Sequence, residues 1–176
     1  MSNILIGVGG GIAAYKVAAL TSALVQAGHH VRVAMTRGAC EFVGPSTFEG
    51  LTASQAILSS TQIDADGSSP HISATSTADL MVIAPATAGL LARLAAGAAD
   101  DSVTLAALVC KCPKILCPAM NDAMWESPVV QRNVRTLIDL GYEVVGPVEG
   151  HLAEGYDAIG RMVEPSDIQA AIDARL

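Results

Sequence analysis

Asn3-Ile4-Leu5-Ile6-Gly7-Val8-Gly9-Gly10-Gly11-Ile12-Ala13-Ala14 is the stretch that decides the fold. Asn3–Val8 is a short apolar run ending in glycines and reads as a buried first strand. From Ile12 to Ala27 the apolar residues recur with helical period, and the run stops at Gly28, a residue suited to the turn after a helix. Gly9, Gly11 and Ala14 fit the loose G-x-G-x-x-A pattern. In that pattern glycine lets the backbone approach a phosphate, and the first N–H groups of the helix face it. The same glycines also suit a tight strand-to-helix turn with nothing bound.

Outward from this unit the alternation continues. Val31–Met35 reads as a second strand and Pro45–Leu51 as a helical piece. Ser54–Pro70 is polar, rich in Ser, Asp and Gly, and reads as a loop or flap. Asp79–Pro85 is the next strand, with Leu80, Met81, Val82 and Ile83 giving the unbroken apolar run of a doubly buried parallel strand. Thr87–Gly97 and Ser102–Val109 read as helices, Lys114–Cys117 as a strand, Pro128–Leu140 as a helix and Glu143–Val145 as a strand. Gly146–Met162 is a long, glycine-rich linker, of which Gly150–Met162 is expected to be mobile and to close over a bound peptide, and Ser166 is the N-cap candidate for a closing helix over Asp167–Arg175. Strands alternating with helices predict an α/β fold: one Rossmann-like, flavodoxin-type domain over residues 1–176 with a doubly wound parallel sheet. Ligands of such sheets bind beyond the carboxyl ends of the strands, so the loops after Val8, Met35, Pro85 and Cys117 are expected to meet at one site.

Composition narrows the function classes. Of 176 residues, 51% are hydrophobic but only 3% aromatic, so the core is built from Ala, Val, Leu and Ile. The net charge of −7 and the lack of any basic run argue against a nucleic-acid surface. No apolar stretch reaches the roughly 18 residues of a membrane span. The start carries no signal-peptide pattern, and a cytoplasmic location is expected. Cys40, Cys110, Cys112 and Cys117 read as small buried apolar residues. Cys110-Lys111-Cys112 does not have zinc-knuckle spacing, and no metal is expected.

The end of the second strand separates possible ligands. A dinucleotide site wants Asp or Glu there to hold a ribose hydroxyl. This chain has Met35-Thr36-Arg37, and a hydroxyl with a guanidinium suits a phosphate better than a ribose diol. A mononucleotide such as FMN is favoured over NAD.

Further motifs follow in order: Gly7 to Lys16, Met35-Thr36, His71-Ile72, Ala78-Asp79, Ala84-Pro85-Ala86-Thr87-Ala88, Gly97 with Asp100, and Pro118-Ala119-Met120-Asn121-Asp122-Ala123-Met124-Trp125. The last is a P-x-M-N-x-x-M-W signature. Together, from about Ile4 to Ile168, these pieces resemble the homo-oligomeric flavin-containing cysteine decarboxylases, a family that includes phosphopantothenoylcysteine decarboxylase and the peptidyl-cysteine decarboxylases.

The resemblance implies FMN as cofactor, held by Gly9, Gly10, Gly11, Ile12 and Thr36 at the phosphate end. Thr87, Ala88, Gly89, Leu90 and the backbone of Ala119 would contact the flavin. His71 would be the catalytic histidine and Asn121 would grip the substrate carboxylate, with Met120, Met124 and Trp125 around it. Without the resemblance, His71 reads equally as an exposed loop residue, Asn121 as a helix cap and Trp125 as packing; His29 and His30 read as solvated and His151 as part of a loop that covers the site. The implied chemistry oxidises the cysteine thiol to a thioaldehyde, whose C=S accepts the electrons as CO₂ leaves, giving an enethiol.

In the phosphopantothenoylcysteine branch a cysteine in an A-C-G-type segment helps reduce the enethiol back to a thiol. The matching stretch, Leu152-Ala153-Glu154-Gly155-Tyr156, has Glu154 at that place. The leading expectation is therefore oxidative decarboxylation of the C-terminal cysteine of a ribosomally made peptide, with Glu154 or Tyr156 contacting the peptide and oxygen reoxidising the flavin. Gly89 stands where many peptidyl-cysteine decarboxylases keep an Asn, and the stretch Arg161 to Pro165 resembles the pantothenate branch, which keeps phosphopantothenoylcysteine decarboxylase as the alternative. A non-catalytic flavoprotein regulatory subunit is a third reading, opposed by the retention of His71 and Asn121. A flavin prenyltransferase is opposed by the M-N-x-x-M-W run. The family assembles as trimers, often built into dodecamers, so a homo-oligomer is expected.

Overall fold

The computed structural model describes residues 1–64 and 67–176. Residues 65 and 66, within the stretch read as a flap, lie outside the described residues. The chain runs β1 (Asn3–Val8), α1 (Ala14–Gln26), β2 (His30–Met35), a 3-10 turn at Ala39–Glu41, α2 (Pro45–Thr52), α3 (Pro70–Thr77) and β3 (Leu80–Ala86). It continues through α4 (Ala88–Ala95), α5 (Ser102–Val109), β4 (Lys114–Pro118), α6 (Asp122–Glu126), α7 (Pro128–Asp139), β5 (Tyr142–Val144), β6 (Val148–His151), β7 (Asp157–Arg161) and α8 (Pro165–Asp173). Five strands form one parallel sheet in the order β2-β1-β3-β4-β5, which is the flavodoxin-type order.

Strand periodicity explains the two cores. In β1, Ile4, Ile6 and Val8 enter the layer packed by α1 and α8, while Leu5 faces the layer of α4 and α5. In β3, Leu80, Val82 and Ala84 join the first layer, and Met81 and Ile83 the second. Every residue of β3 is buried, as its unbroken apolar run predicts for a central strand. A fully buried Leu or Ile side chain contributes about 1.5–3 kcal/mol, so the two layers together hold the sheet rigid behind the site.

Four differences from the sequence reading have local causes. Pro70–Thr77 is helical although it has no apolar period; Pro70 opens its first turn, the Thr75 hydroxyl donates to the His71 carbonyl at 2.6 Å, and the helix packs on α5. The short helix α6 follows Asn121, whose side chain caps it. The closing helix begins at Pro165 with Glu164, not Ser166, as its cap: Pro165 is pre-set for the first helical position, and Glu164 and Asp167 cap each other. The stretch read as a mobile linker contains an antiparallel hairpin of β6 and β7, with Leu152 and Met162 buried beneath it. Among the described residues no helix is long and apolar enough to cross a membrane.

Candidate active site

A cavity of about 620 Å³ opens at the carboxyl ends of the strands. It sits where the sheet changes direction between β1 and β3, the place where doubly wound sheets bind ligands. The turn after β1 supplies Gly10, Gly11 and Ile12, the loop after β3 supplies Thr87 and Ala88, and the loop after β4 supplies Ala119, Met120 and Asn121. The hairpin closes the far side with His151, Leu152, Glu154 and Arg161. Three of the four expected loops therefore line the cavity. The fourth, after β2, supports the turn from behind: a Cβ on Gly10 would stand 2.7 Å from the Gly38 carbonyl carbon.

The glycine turn is dictated by backbone crowding. A Cβ on Gly9 would lie 2.1 Å from the Pro85 carbonyl oxygen, a contact no side chain tolerates. Gly9 thus serves the packing of β1 on β3, and it is not among the residues that line the cavity. Gly11 has ordinary space beside Thr87 and faces the cavity. The N-terminus of α1 has neither a side-chain cap nor an acid in its first turn; Ala14 and Lys16 N–H already donate to the Gly11 and Ala13 carbonyls, and the positive end of the helix dipole suits an anion.

Other expected contacts divide in the same way. Thr36 is buried, its hydroxyl accepts the Ala39 N–H at 3.1 Å, and it lies outside the lining because it closes the 3-10 turn. Thr87 caps α4 by accepting the Leu90 N–H at 3.4 Å. Leu90 is buried in the core beside Gly9, and Gly89 is exposed on the outer face of α4; neither lines the cavity, because a helix starting at Ala88 turns both away.

The M-N-x-x-M-W run splits likewise. Met120, Asn121 and Met124 line the cavity, whereas Trp125 packs against the second core layer, and its carbonyl accepts from Gln131. Asn121 makes two contacts: its Oδ1 accepts the Ala123 N–H at 3.0 Å, and its Nδ2 donates to the Tyr156 hydroxyl at 2.9 Å. The second hydrogen of that amide remains to orient a carboxylate. The Tyr156 hydroxyl donates in turn to Asp122 Oδ1 at 2.7 Å, which holds the Asp122 carboxyl below its ordinary pKa and raises that of Tyr156.

His71 does not line the cavity of this chain. It sits in the first turn of α3, half-buried, with a buried Nδ1 that has no hydrogen-bond partner among the described residues.

The cavity also contains residues to which the sequence assigned no role. Lys16 is 8% exposed although it lies in an apolar helix; its Nζ reaches Glu164 Oε1 at 2.8 Å and the Met162 carbonyl at 3.5 Å. Arg161 hydrogen-bonds the same carboxylate oxygen, and the Lys16 hydrogen bond first, with Arg161 behind it, holds Glu164 below its ordinary pKa. A lysine on the buried stripe of α1 was the available signal for this pair of cations. Arg161 had none, because only the hairpin brings it to the site.

Residues 1–176 match the Flavoprotein family. The chain belongs to the Flavoprotein family. Its relatives include the coenzyme A biosynthesis bifunctional protein CoaBC of Bacillus subtilis, 45% identical over 94% of this chain and 41% of that protein. CoaBC of Vibrio cholerae is 42% identical over 96% of this chain and 42% of that protein. The chain thus spans about two fifths of the length of these curated relatives. Among solved structures, the FMN-dependent cysteine decarboxylase SpaF aligns with a TM-score of 0.86 at 33% identity, covering 99% of this chain and 95% of that one. A PPC decarboxylase variant complexed with pantothenoylaminoethenethiol aligns with a TM-score of 0.87 at 26% identity, covering 97% and 96%. The flavodoxin-type sheet, the flavin cysteine-decarboxylase class and FMN as cofactor all agree with these relatives.

Proposed function

We propose that this flavoprotein oxidatively decarboxylates a cysteinyl carboxylate and releases the aminoenethiol. Glu154 carries the reading. It lines the cavity from the hairpin, at the place where the resemblance expects a reducing cysteine. A carboxylate supplies no thiol redox chemistry, and none of the four cysteines lies in the hairpin.

The cavity suits FMN. Its volume falls in the usual range for cofactor sites, about 300–1,000 Å³. Gly10, Gly11 and the uncapped start of α1 would hold the phosphate, with Thr87, Ala88 and Ala119 beside the ring system. Bound FMN would supply the electron acceptor that decarboxylation of a cysteine lacks. Asn121 orients the carboxylate through its unused amide hydrogen, and Met120 and Met124 give the reacting end an apolar wall. The hairpin restricts water.

His71 would act as the base from a neighbouring copy of the chain. Its Nδ1 is buried without a hydrogen-bond partner among the described residues, which leaves the partly exposed ring to present Nε2. A homo-oligomer, a trimer by the family resemblance, would carry His71 to the next subunit's cavity. His71→Asn is expected to leave FMN bound and abolish turnover; full activity would place the base elsewhere, with His151 next.

For the substrate, the C-terminal cysteine of a peptide fits the loss of the reducing cysteine. Phosphopantothenoylcysteine is the second reading, favoured by identities of 42–45% to CoaBC proteins and by Lys16 and Arg161 beside the cavity, which suit a phosphate. Mass spectrometry of both candidates after turnover separates them. Loss of CO₂ and two hydrogens from a cysteine-ending peptide, with no reaction of phosphopantothenoylcysteine, is the expected result. Loss of CO₂ alone, giving the thiol without added reductant, would overturn the oxidative reading. Glu154→Ala should still form the enethiol, with a weaker KM; loss of all turnover with binding intact would make Glu154 a participant in the chemistry.

A further inference from the structure

Cys110 ends α5 and Cys112 follows in the link to β4. Their sulfurs stand 2.8 Å apart. That is within about 0.8 Å of a covalent S–S bond of about 2.05 Å, so closing the bond requires only a small shift of the link. Cys110 is 3% exposed and Cys112 half-buried. Lys114 fixes the link by donating to the Cys112 carbonyl at 3.3 Å, and its ammonium lies 5.4 Å from the centre of the Tyr142 ring. The pair sits where β4 begins, and the flavin cavity sits where β4 ends, about 16 Å of strand away. The flavin chemistry therefore makes no use of it.

We propose that Cys110 and Cys112 form a second reactive site, a dithiol that is oxidised by hydroperoxides and closes to an intramolecular disulfide. The contact with the Cys112 sulfur, aided by the charge of Lys114, brings the Cys110 thiol down to about 6 against the opposing effect of burial. The lowering favours the Cys110 thiolate, the form that attacks peroxide. Its sulfur attacks one peroxide oxygen, the O–O bond breaks, and the leaving hydroxide takes a proton to become water. Cys110 is now the sulfenic acid. Cys112 loses its proton and attacks the Cys110 sulfur, expelling hydroxide, which becomes the second water. Two thiols and one hydrogen peroxide give one disulfide and two waters. The depth of Cys110 selects a small oxidant over a bulky disulfide. A bound metal is not supported: the described residues contain no group of three or more His, Cys, Asp or Glu able to hold one.

The test uses the full chain, reduced, treated with hydrogen peroxide, unfolded, alkylated and digested with trypsin. Trypsin cuts after Lys111, between the two cysteines. The expected product is fragment 94–111 joined to fragment 112–114 and separated by dithiothreitol, with the free-thiol count falling from four to two. Glutathione disulfide should give the same product far more slowly. Cys112→Ser should trap Cys110 as the sulfenic acid, captured by dimedone, with no joined fragments. Oxidation that begins at Cys40, or that yields only sulfinic acid at Cys112 in the unmodified chain, would overturn the proposal.

Discussion

The turn at Gly9–Ile12 and the hairpin of β6 and β7 face each other across one cavity, yet they are held in opposite ways. The turn is wedged into the sheet: Gly9 touches the backbone beneath β3, Gly10 touches the loop after β2, and the strand leading in is buried from Ile4 to Val8. Among the described residues the hairpin strands pair only with each other, and apart from Leu152 and Met162, which are buried beneath it, the hairpin docks through a few polar contacts. Met120 N–H donates to the Gly160 carbonyl at 3.0 Å, Tyr156 bridges Asn121 and Asp122, and Arg161 meets Glu164. One wall is part of the core and the other is an attachment. An attachment can open without unfolding the domain, which is what an enzyme needs to admit substrate and then exclude water.

Two glycine substitutions break this comparison most sharply. A Cβ on Gly9 would meet the Pro85 oxygen at 2.1 Å, and one on Gly160 would meet the Met120 oxygen at 2.2 Å. The collisions are nearly equal, but Gly160 also has φ +137, where a side chain is strained, and the two sites differ in their freedom to move apart. Gly9→Ala is expected to cost about 3 kcal/mol or more, a fall in Tm of roughly 10 °C, because neither strand can retreat. Gly160→Ala should leave the Tm within a few degrees, because the hairpin lifts away, but should weaken FMN binding and raise amide exchange in Val148–Arg161. Equal losses of Tm would show that the hairpin is part of the core.

Tyr156→Phe sharpens the same comparison with a smaller effect. It removes the hydroxyl joining Asn121 to Asp122 on an exposed surface, so global stability should change little. Faster hairpin exchange and a higher KM are expected, with kcat little changed. The pH dependence follows from Asp122, whose carboxyl is held low by the Tyr156 hydroxyl. A depressed carboxyl contributes above its unfolded value and loses that contribution as pH falls through its folded value. Hairpin protection should therefore hold near neutrality and decline on acidification below the ordinary carboxylate range. The Phe variant should lack this acid-dependent loss, and an unchanged profile would remove Asp122 from the latch.

The sequence alone determined the parallel sheet and the glycine turn, because each rests on local pattern: apolar runs of strand length, helical period and glycines contiguous in the chain; contiguous motifs also carried the resemblance to a flavin family. The alternation in Asn3–Val8 and Leu80–Ala86 assigns side chains to the two layers before any contact is seen. Only the tertiary structure decided which motif residues face the cavity. Thr36, Leu90 and Trp125 lie in motif stretches but point into turns or core, since a helix start or a capping bond rotates them away. Lys16 and Arg161 are separated by most of the chain and meet at Glu164 only because α8 packs on α1. The polar stretch at Pro70–Thr77 becomes a helix through packing on α5 rather than through its own period. Contacts between distant segments have no sequence period, and so the latch on the hairpin and the cations beside the cavity were legible only in three dimensions.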